Sequence, residues 1–156
     1  MINLAGLHKV DLLEIAKEVL VVNPDCALSG SLSLQLQKIK IRREPQDVDL
    51  YLCFDKKFTI PEGAVFVNDF NQDDYDNEKF TRLTYKYKNC KIEVFQALEV
   101  QYAVAINIKK DKEHGIDIVS EEDIISFKLS HAINGRSQTR YKHKDDIIHI
   151  LINNNI

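Results

Sequence analysis

No stretch of this chain is long and apolar enough to span a membrane, which takes about 20 consecutive apolar residues. The opening residues, Met1-Ile2-Asn3-Leu4, lack the basic region and long apolar core of a secretory signal, so a cytoplasmic location is expected. Cysteine is scarce. Cys26, Cys53 and Cys90 are odd in number and have no close metal-type spacing. Each falls in an expected strand, which argues for reduced, buried core thiols and against a zinc or catalytic role. His8, His114, His131, His143 and His149 likewise show no metal-ligand spacing and are read as surface residues, with a functional role for His143, beside Lys144, as the alternative. Positive charge is not in excess: the net charge is −3, which argues against tight non-specific binding to nucleic acid but is compatible with a small local basic patch. Internal repeats and low-complexity linkers are missing too. The 156 residues, 44% hydrophobic and 29% charged, therefore read as a single domain over 1–156 with enough chain for a real core.

What is present is a succession of periodic segments. Val10, Leu13, Ala16, Val19 and Leu20 recur at helical spacing and predict an amphipathic helix over about 7–21, ended by Asn23-Pro24-Asp25. A short strand, Cys26 to Ser29, leads into Gly30. Ser31 to Gln37 is ambiguous: its strict alternation reads as a strand, while Leu32, Leu36 and Ile39 also share one helical face. After a turn over Arg42–Gln46, Asp47-Val48-Asp49-Leu50-Tyr51-Leu52 alternates as a half-buried strand, with Val48, Leu50 and Leu52 on one face and Asp47, Asp49 and Tyr51 on the other. Val65-Phe66-Val67 suggests a brief strand, and Asp69 to Glu78 an acidic solvated loop. Leu83, Tyr85 and Tyr87, a turn at Asn89, then Ile92 and Val94 read as a hairpin. Tyr102, Val104, Ile106 and Ile108 suggest a further strand, Lys109 to Gly115 a charged turn, and Ile116 to Val119 an edge strand. Ser120 with Asp123 three residues on matches a capping box and opens a helix through Ile124, Phe127, Lys128 and His131. A last short helix is expected over Asp145–Asn153, so the chain closes with a helical segment over about 120–156. The order of elements predicts a mixed α/β (α+β) domain: a small twisted mixed sheet with helices mainly on one face.

The chemistry-bearing residues gather in two of these segments. Two carboxylates on one strand face sit roughly 6.5–7 Å apart and repel unless a cation lies between them. A hard divalent ion such as Mg²⁺ fills that role, since it takes a few carboxylate oxygens plus phosphates and water. Gly30-Ser31 is a place where backbone can turn sharply and approach a ligand, and a helix starting there would present free N–H groups to an anion. Glu93 lies on a strand face opposite Ile92 and Val94, and joins the aspartates if the two strands are neighbours.

Gly30-Ser31 followed by Asp47-Val48-Asp49-Leu50 resembles the fingerprint of the nucleotidyltransferase superfamily that includes DNA polymerase β. Arg43 four residues before the first aspartate, Glu93 in Ile92-Glu93-Val94, the Ser120 to Lys128 segment, and Arg140 through Lys144-Asp145-Asp146-Ile147 extend the likeness over most of the chain. The set is most similar to small bacterial nucleotidyltransferase-like proteins grouped with abortive-infection toxins. The resemblance implies that Ser31 opens a helix and that the fold is nucleotidyltransferase-like. It also implies two Mg²⁺ ions held by Asp47, Asp49 and Glu93 as the catalytic carboxylates, with triphosphate binding by Gly30, Ser31, Arg43, Lys128 and Lys144. The expected activity is transfer of a nucleoside monophosphate from a nucleoside triphosphate to an acceptor such as a tRNA or a protein, in the manner of a toxin. The alternative is a non-catalytic binding or regulatory module on the same fold, such as one component of a toxin–antitoxin pair, working with a partner protein or as a homodimer.

Overall fold

The computed structural model describes residues 11–76, 81–97, 106–134 and 137–154. Helix α1, Leu12–Val21, starts behind Asp11, whose side chain accepts the backbone N–H of Glu14 at 3.2 Å. It buries Ile15, Ala16, Val19 and Leu20, the face its periodicity predicts. Residues 7–10 of the expected helix lie outside the described residues. Asn23 ends the segment and pins a distant loop. Its amide donates to the carbonyls of Val19 (3.0 Å) and Thr59 (2.9 Å), and its oxygen accepts from the Thr59 N–H (2.7 Å).

Strand β1, Cys26–Ser29, runs straight into helix α2, Gly30–Leu36. The ambiguous segment is thus helical. Gly30 at φ +65° breaks the strand direction, which an L side chain resists. Ser33, fully buried, then donates its hydroxyl to the carbonyl of Val119 at 3.1 Å, and Gln37 donates to the same carbonyl at 3.0 Å. Long-range bonds, not local pattern, decide this helix.

The remaining elements are β2 (Val48–Leu52), β3 (Val65–Phe66), α3 (Asp69–Asp76), β4 (Arg82–Tyr87), β5 (Cys90–Gln96), β6 (Ile108–Asp111), β7 (Ile116–Val119), α4 (Glu121–Asn134) and α5 (Ser137–Asn153). The strands form one mixed sheet in the order β3-β4-β5-β2-β1-β7-β6. β2 pairs with β5, and β1 with β7, in parallel; the other neighbours are antiparallel. The chain is therefore mixed α/β, as expected, but helices cover both faces rather than mainly one. Val48, Leu50, Leu52, Ile92 and Val94 pack with α1 in one core. Ala27, Tyr51 and Val119 pack with Ile124 of α4 and Ile150 of α5 in another. A central strand such as β1, buried at every position, needs cover on both sides.

Three further expectations change. Ile116–Val119 is an inner strand between β1 and β6, and the edge falls to Ile108–Asp111, which takes in Lys109 and Lys110 from the expected turn. The edge lysines suit a strand that must not pair further. Tyr102 and Val104 lie outside the described residues. Asp69–Asp76 is a helix, not a loop, because Asn68 accepts the Asn71 N–H at 2.9 Å and the buried Asn71 accepts the Thr84 N–H at 2.9 Å. The last helix begins at Ser137 rather than Asp145; its first half carries too little apolar periodicity to be read. Ser120 caps the helix, its hydroxyl accepting the Asp123 N–H at 3.4 Å, but the reciprocal half of the expected capping box is missing, because the Ser120 N–H donates to the Asn107 carbonyl at 2.9 Å. Among the described residues no helix is long and apolar enough to cross a membrane. Cys26 and Cys90 are buried, Cys53 is half-buried, and all three are free thiols.

Candidate functional site

Alternation along β2 sends Val48, Leu50 and Leu52 into the α1 core, so Asp49 must point to the other face. Strand register then builds a polar row. Ser29 of β1 lies directly opposite Asp49, Asp49 opposite Glu93 of β5, and Glu93 opposite Thr84 of β4. Neighbouring members of such a row are about 4.8 Å apart from strand to strand. Asp47 stands one residue ahead of β2 and acts on Asp49 through its charge. Gly30 closes the row at the β1–α2 junction. A Cβ added there would collide with Oδ2 of Asp49 and stand 2.9 Å from its Cβ and Cγ. The Asp49 carboxylate therefore lies against bare backbone.

Burial first, then the charges of Glu93 and Asp47, push the Asp49 carboxyl up to about 6, against the pull of Lys128 and Lys142. A carboxyl raised on folding contributes stability that is fully present below its unfolded pKa, near 3.8, and lost as pH rises through about 6. Asp49→Asn, which keeps the shape without the charge, is expected to stabilise the metal-free protein at pH 7 by on the order of 1–2 kcal/mol. The gain should vanish at pH 4. Urea melts of both proteins at the two pH values check this, and equal stability at pH 7 would refute the strained state of Asp49.

Glu93 is in the opposite condition. Burial alone would raise its carboxyl, but hydrogen bonds from Lys91 and Arg82, with their charges, outweigh it and hold it below the usual carboxylate range. Both bonds reach Oε1, from Arg82 at 2.7 Å and from Lys91 at 2.8 Å. Lys91 is held above the usual lysine range mainly by its bond to Glu93; burial opposes this, and the charges of Glu93 and Asp47 add to it. The sequence contained a signal for both cations. Lys91 shares the strand face of Glu93, and the hairpin turn at Asn89 sets Thr84 opposite Glu93 and Arg82 opposite Phe95.

A second charged cluster lies at the start of α2. Asp146 of α5, buried, accepts from the Arg43 guanidinium through both oxygens (2.9 and 3.0 Å) and from the Lys128 ammonium at 2.9 Å. Lys128, also buried, lies 3.5 Å from the Ser31 hydroxyl. The segment leading into β2 is fastened along α5 as well. Arg42 bonds Asp145 at 2.8 Å, and Asn154 exchanges two hydrogen bonds with the Lys40 backbone. Gly30, Ser31, Arg43 and Lys128 are thus brought to one side of the Asp49 row. Lys144 is exposed, and it is Lys142, two residues earlier on α5, whose charge acts on Asp49. His143 stacks on His131 with ring centres 5.1 Å apart, and its Nδ1 is buried without a hydrogen-bond partner among the described residues. Burial, then Lys128 and His131, pull its ring down to about 4, against Asp146.

Asp47 and Asp49 suit a hard divalent cation: they offer oxygen donors, and a cation relieves their mutual repulsion. Glu93 suits one less well, because the two cationic side chains on its Oε1 would repel an ion at that carboxylate. Among the described residues only Asp111, Glu113 and His114 bring one ligand atom each within 4.8 Å of one another. That trio escaped the sequence reading. Asp111 accepts the Glu113 N–H at 3.1 Å and meets His114 Nδ1 at 2.8 Å, bonds that by themselves account for the trio as a locked β6–β7 turn.

No family model and no curated protein matches this chain.

Proposed function

We propose that the chain is a Mg²⁺-dependent nucleotidyltransferase that moves a nucleoside monophosphate from a nucleoside triphosphate to an acceptor hydroxyl. The observation that carries this reading is the seating of Asp49, in a row with Glu93, against the Gly30 backbone, with Ser31, Lys128 and Arg43 alongside. Carboxylates for a metal and donors for phosphate so close together fit phosphoryl chemistry better than separate structural roles. Asp47 and Asp49 hold the ion, which supplies charge neutralisation of the phosphates and a lowered pKa for the attacking oxygen. Ser31 donates its hydroxyl, and the Gly30 backbone leaves room, on the triphosphate side. Lys128 and Arg43 offer cationic donors there, Arg43 in a forked geometry matched to phosphate oxygens. One of these carboxylates, Asp47 or Asp49, accepts the proton of the attacking hydroxyl. The fold is then of the nucleotidyltransferase kind and the acceptor a tRNA or a protein, as for a toxin.

A second reading, a non-catalytic module or toxin–antitoxin component on the same scaffold, is favoured by one observation. Glu93, Arg43 and Lys128 already have internal ion-pair partners. Calorimetric titration with ATP, GTP, CTP and UTP separates these cases. With Mg²⁺, the wild type is expected to bind at least one of the four, and the Asp47→Asn/Asp49→Asn variant to lose that binding by 100-fold or more. Failure of the wild type to bind any of them rejects the enzyme. Binding without transfer of labelled nucleotide to tRNA or protein favours the module.

A further inference from the structure

The two cations on Glu93 bear on how many ions the site takes. A second divalent ion would need Glu93, and Mg²⁺ binds oxygen at about 2.0–2.1 Å in a demanding octahedron. An ion on Oε1 would then lie within about 5 Å of two positive side chains, and one on Oε2 within about 7 Å, because Arg82 and Lys91 stand 2.7 and 2.8 Å from Oε1. These are short, charge-assisted bonds to a buried carboxylate, made by side chains that are themselves about half exposed, so water screens part of their charge. Arg82 is further steadied by Phe95, whose ring centre lies 5.9 Å from the guanidinium carbon. The balance of charge agrees. Asp47, Asp49 and Glu93 already face two cations, so one divalent ion takes the cluster just past neutral. A second would make it strongly positive before any phosphate arrived.

We propose that Arg82 and Lys91 stand in for a second divalent ion: the site takes one ion, held by Asp47 and Asp49, and the two side chains, fixed by Glu93, supply the positive charge a second would bring. Glu93 is then a positioning residue rather than a metal ligand. This rests on the nucleotidyltransferase reading for the first ion and departs from the two-ion arrangement that the family resemblance implies.

Mn²⁺ titration followed by electron paramagnetic resonance tests it, in the full chain with a non-hydrolysable ATP analogue. The sites counted are those that disappear in Asp47→Asn/Asp49→Asn, so ions on Asp111, Glu113 and His114 do not enter. One such Mn²⁺ per chain, with no exchange coupling between ions, is the expected result for wild type. Arg82→Gln/Lys91→Met should free Glu93 and add a second, exchange-coupled ion. If that double variant does not fold, Lys91→Met alone should tighten a second Mn²⁺ by 10-fold or more. Two coupled ions in wild type would overturn the proposal and leave the nucleotidyltransferase reading intact. One ion in both wild type and cation-depleted variants would overturn the stand-in role of Arg82 and Lys91. No Mn²⁺ dependent on Asp47 and Asp49 would overturn the metal site itself.

Discussion

Gly30→Ala is expected to destabilise the protein by about 2–5 kcal/mol. Two costs add. The backbone at position 30 sits at φ +65°, where an L residue loses roughly 1–2 kcal/mol. The new methyl would also meet Asp49, and the nearest atoms include Cβ of Asp49, which belongs to the rigid central strand and cannot swing away. Overpacking of that kind costs about 1–3 kcal/mol. Adding Asp49→Ala removes the carboxylate but leaves the Cβ contact, so it should return only part of the loss, on the order of 1 kcal/mol of coupling in a double-mutant cycle. Denaturant midpoints for the four proteins provide the measurement. A Gly30→Ala protein as stable as wild type would mean that Asp49 does not rest on this backbone, and the site would lose its central contact.

Asp146→Ala should be of similar size, about 3–5 kcal/mol, for an electrostatic reason. Lys128 and Asp146 are both buried, so removing the carboxylate strands a buried ammonium. Arg43, about half exposed, adds little, since water screens it. Replacing both buried partners, Lys128→Met with Asp146→Leu, should recover most of the stability because no uncompensated charge remains. The double variant should nevertheless lose triphosphate affinity if Lys128 serves the phosphates. The pH dependence has a definite sign. Burial would raise the Asp146 carboxyl, but the bonds from Lys128 and Arg43 outweigh it and hold it below the usual range. Its contribution is present above the unfolded carboxyl pKa, about 4, and is lost as pH falls through the lower folded value. The gap between wild type and Asp146→Ala should therefore be full at pH 7 and close under acid conditions below about pH 4. A gap that persists unchanged at pH 3 would show that the loss comes from packing rather than charge.

Facing was legible from local pattern. The alternation of Val48, Leu50 and Leu52 predicted one buried face of β2 but not the burial of Tyr51 on the other, and the β4–β5 hairpin followed from Asn89 and its flanks. The Ser120 cap and most of α1 were equally plain, because periodicity and capping are properties of a few adjacent residues. Local pattern failed where a distant partner decides. The Ser31–Gln37 segment is a helix because Ser33 and Gln37 find the Val119 carbonyl, and α3 is a helix because Asn71 finds Thr84. For the site, the sequence by itself supplied the carboxylates, the glycine and the basic residues, and put Asp49 and Glu93 on strand faces. Only the tertiary structure decided that β2 and β5 are parallel neighbours in a register that aligns those two acids. It also decided that Glu93 is held by Arg82 and Lys91, and that Asp146 takes Arg43 and Lys128 across 103 and 18 residues of chain. A charge states what a side chain can bind, whereas which opposite charge it meets depends on packing between segments far apart in sequence.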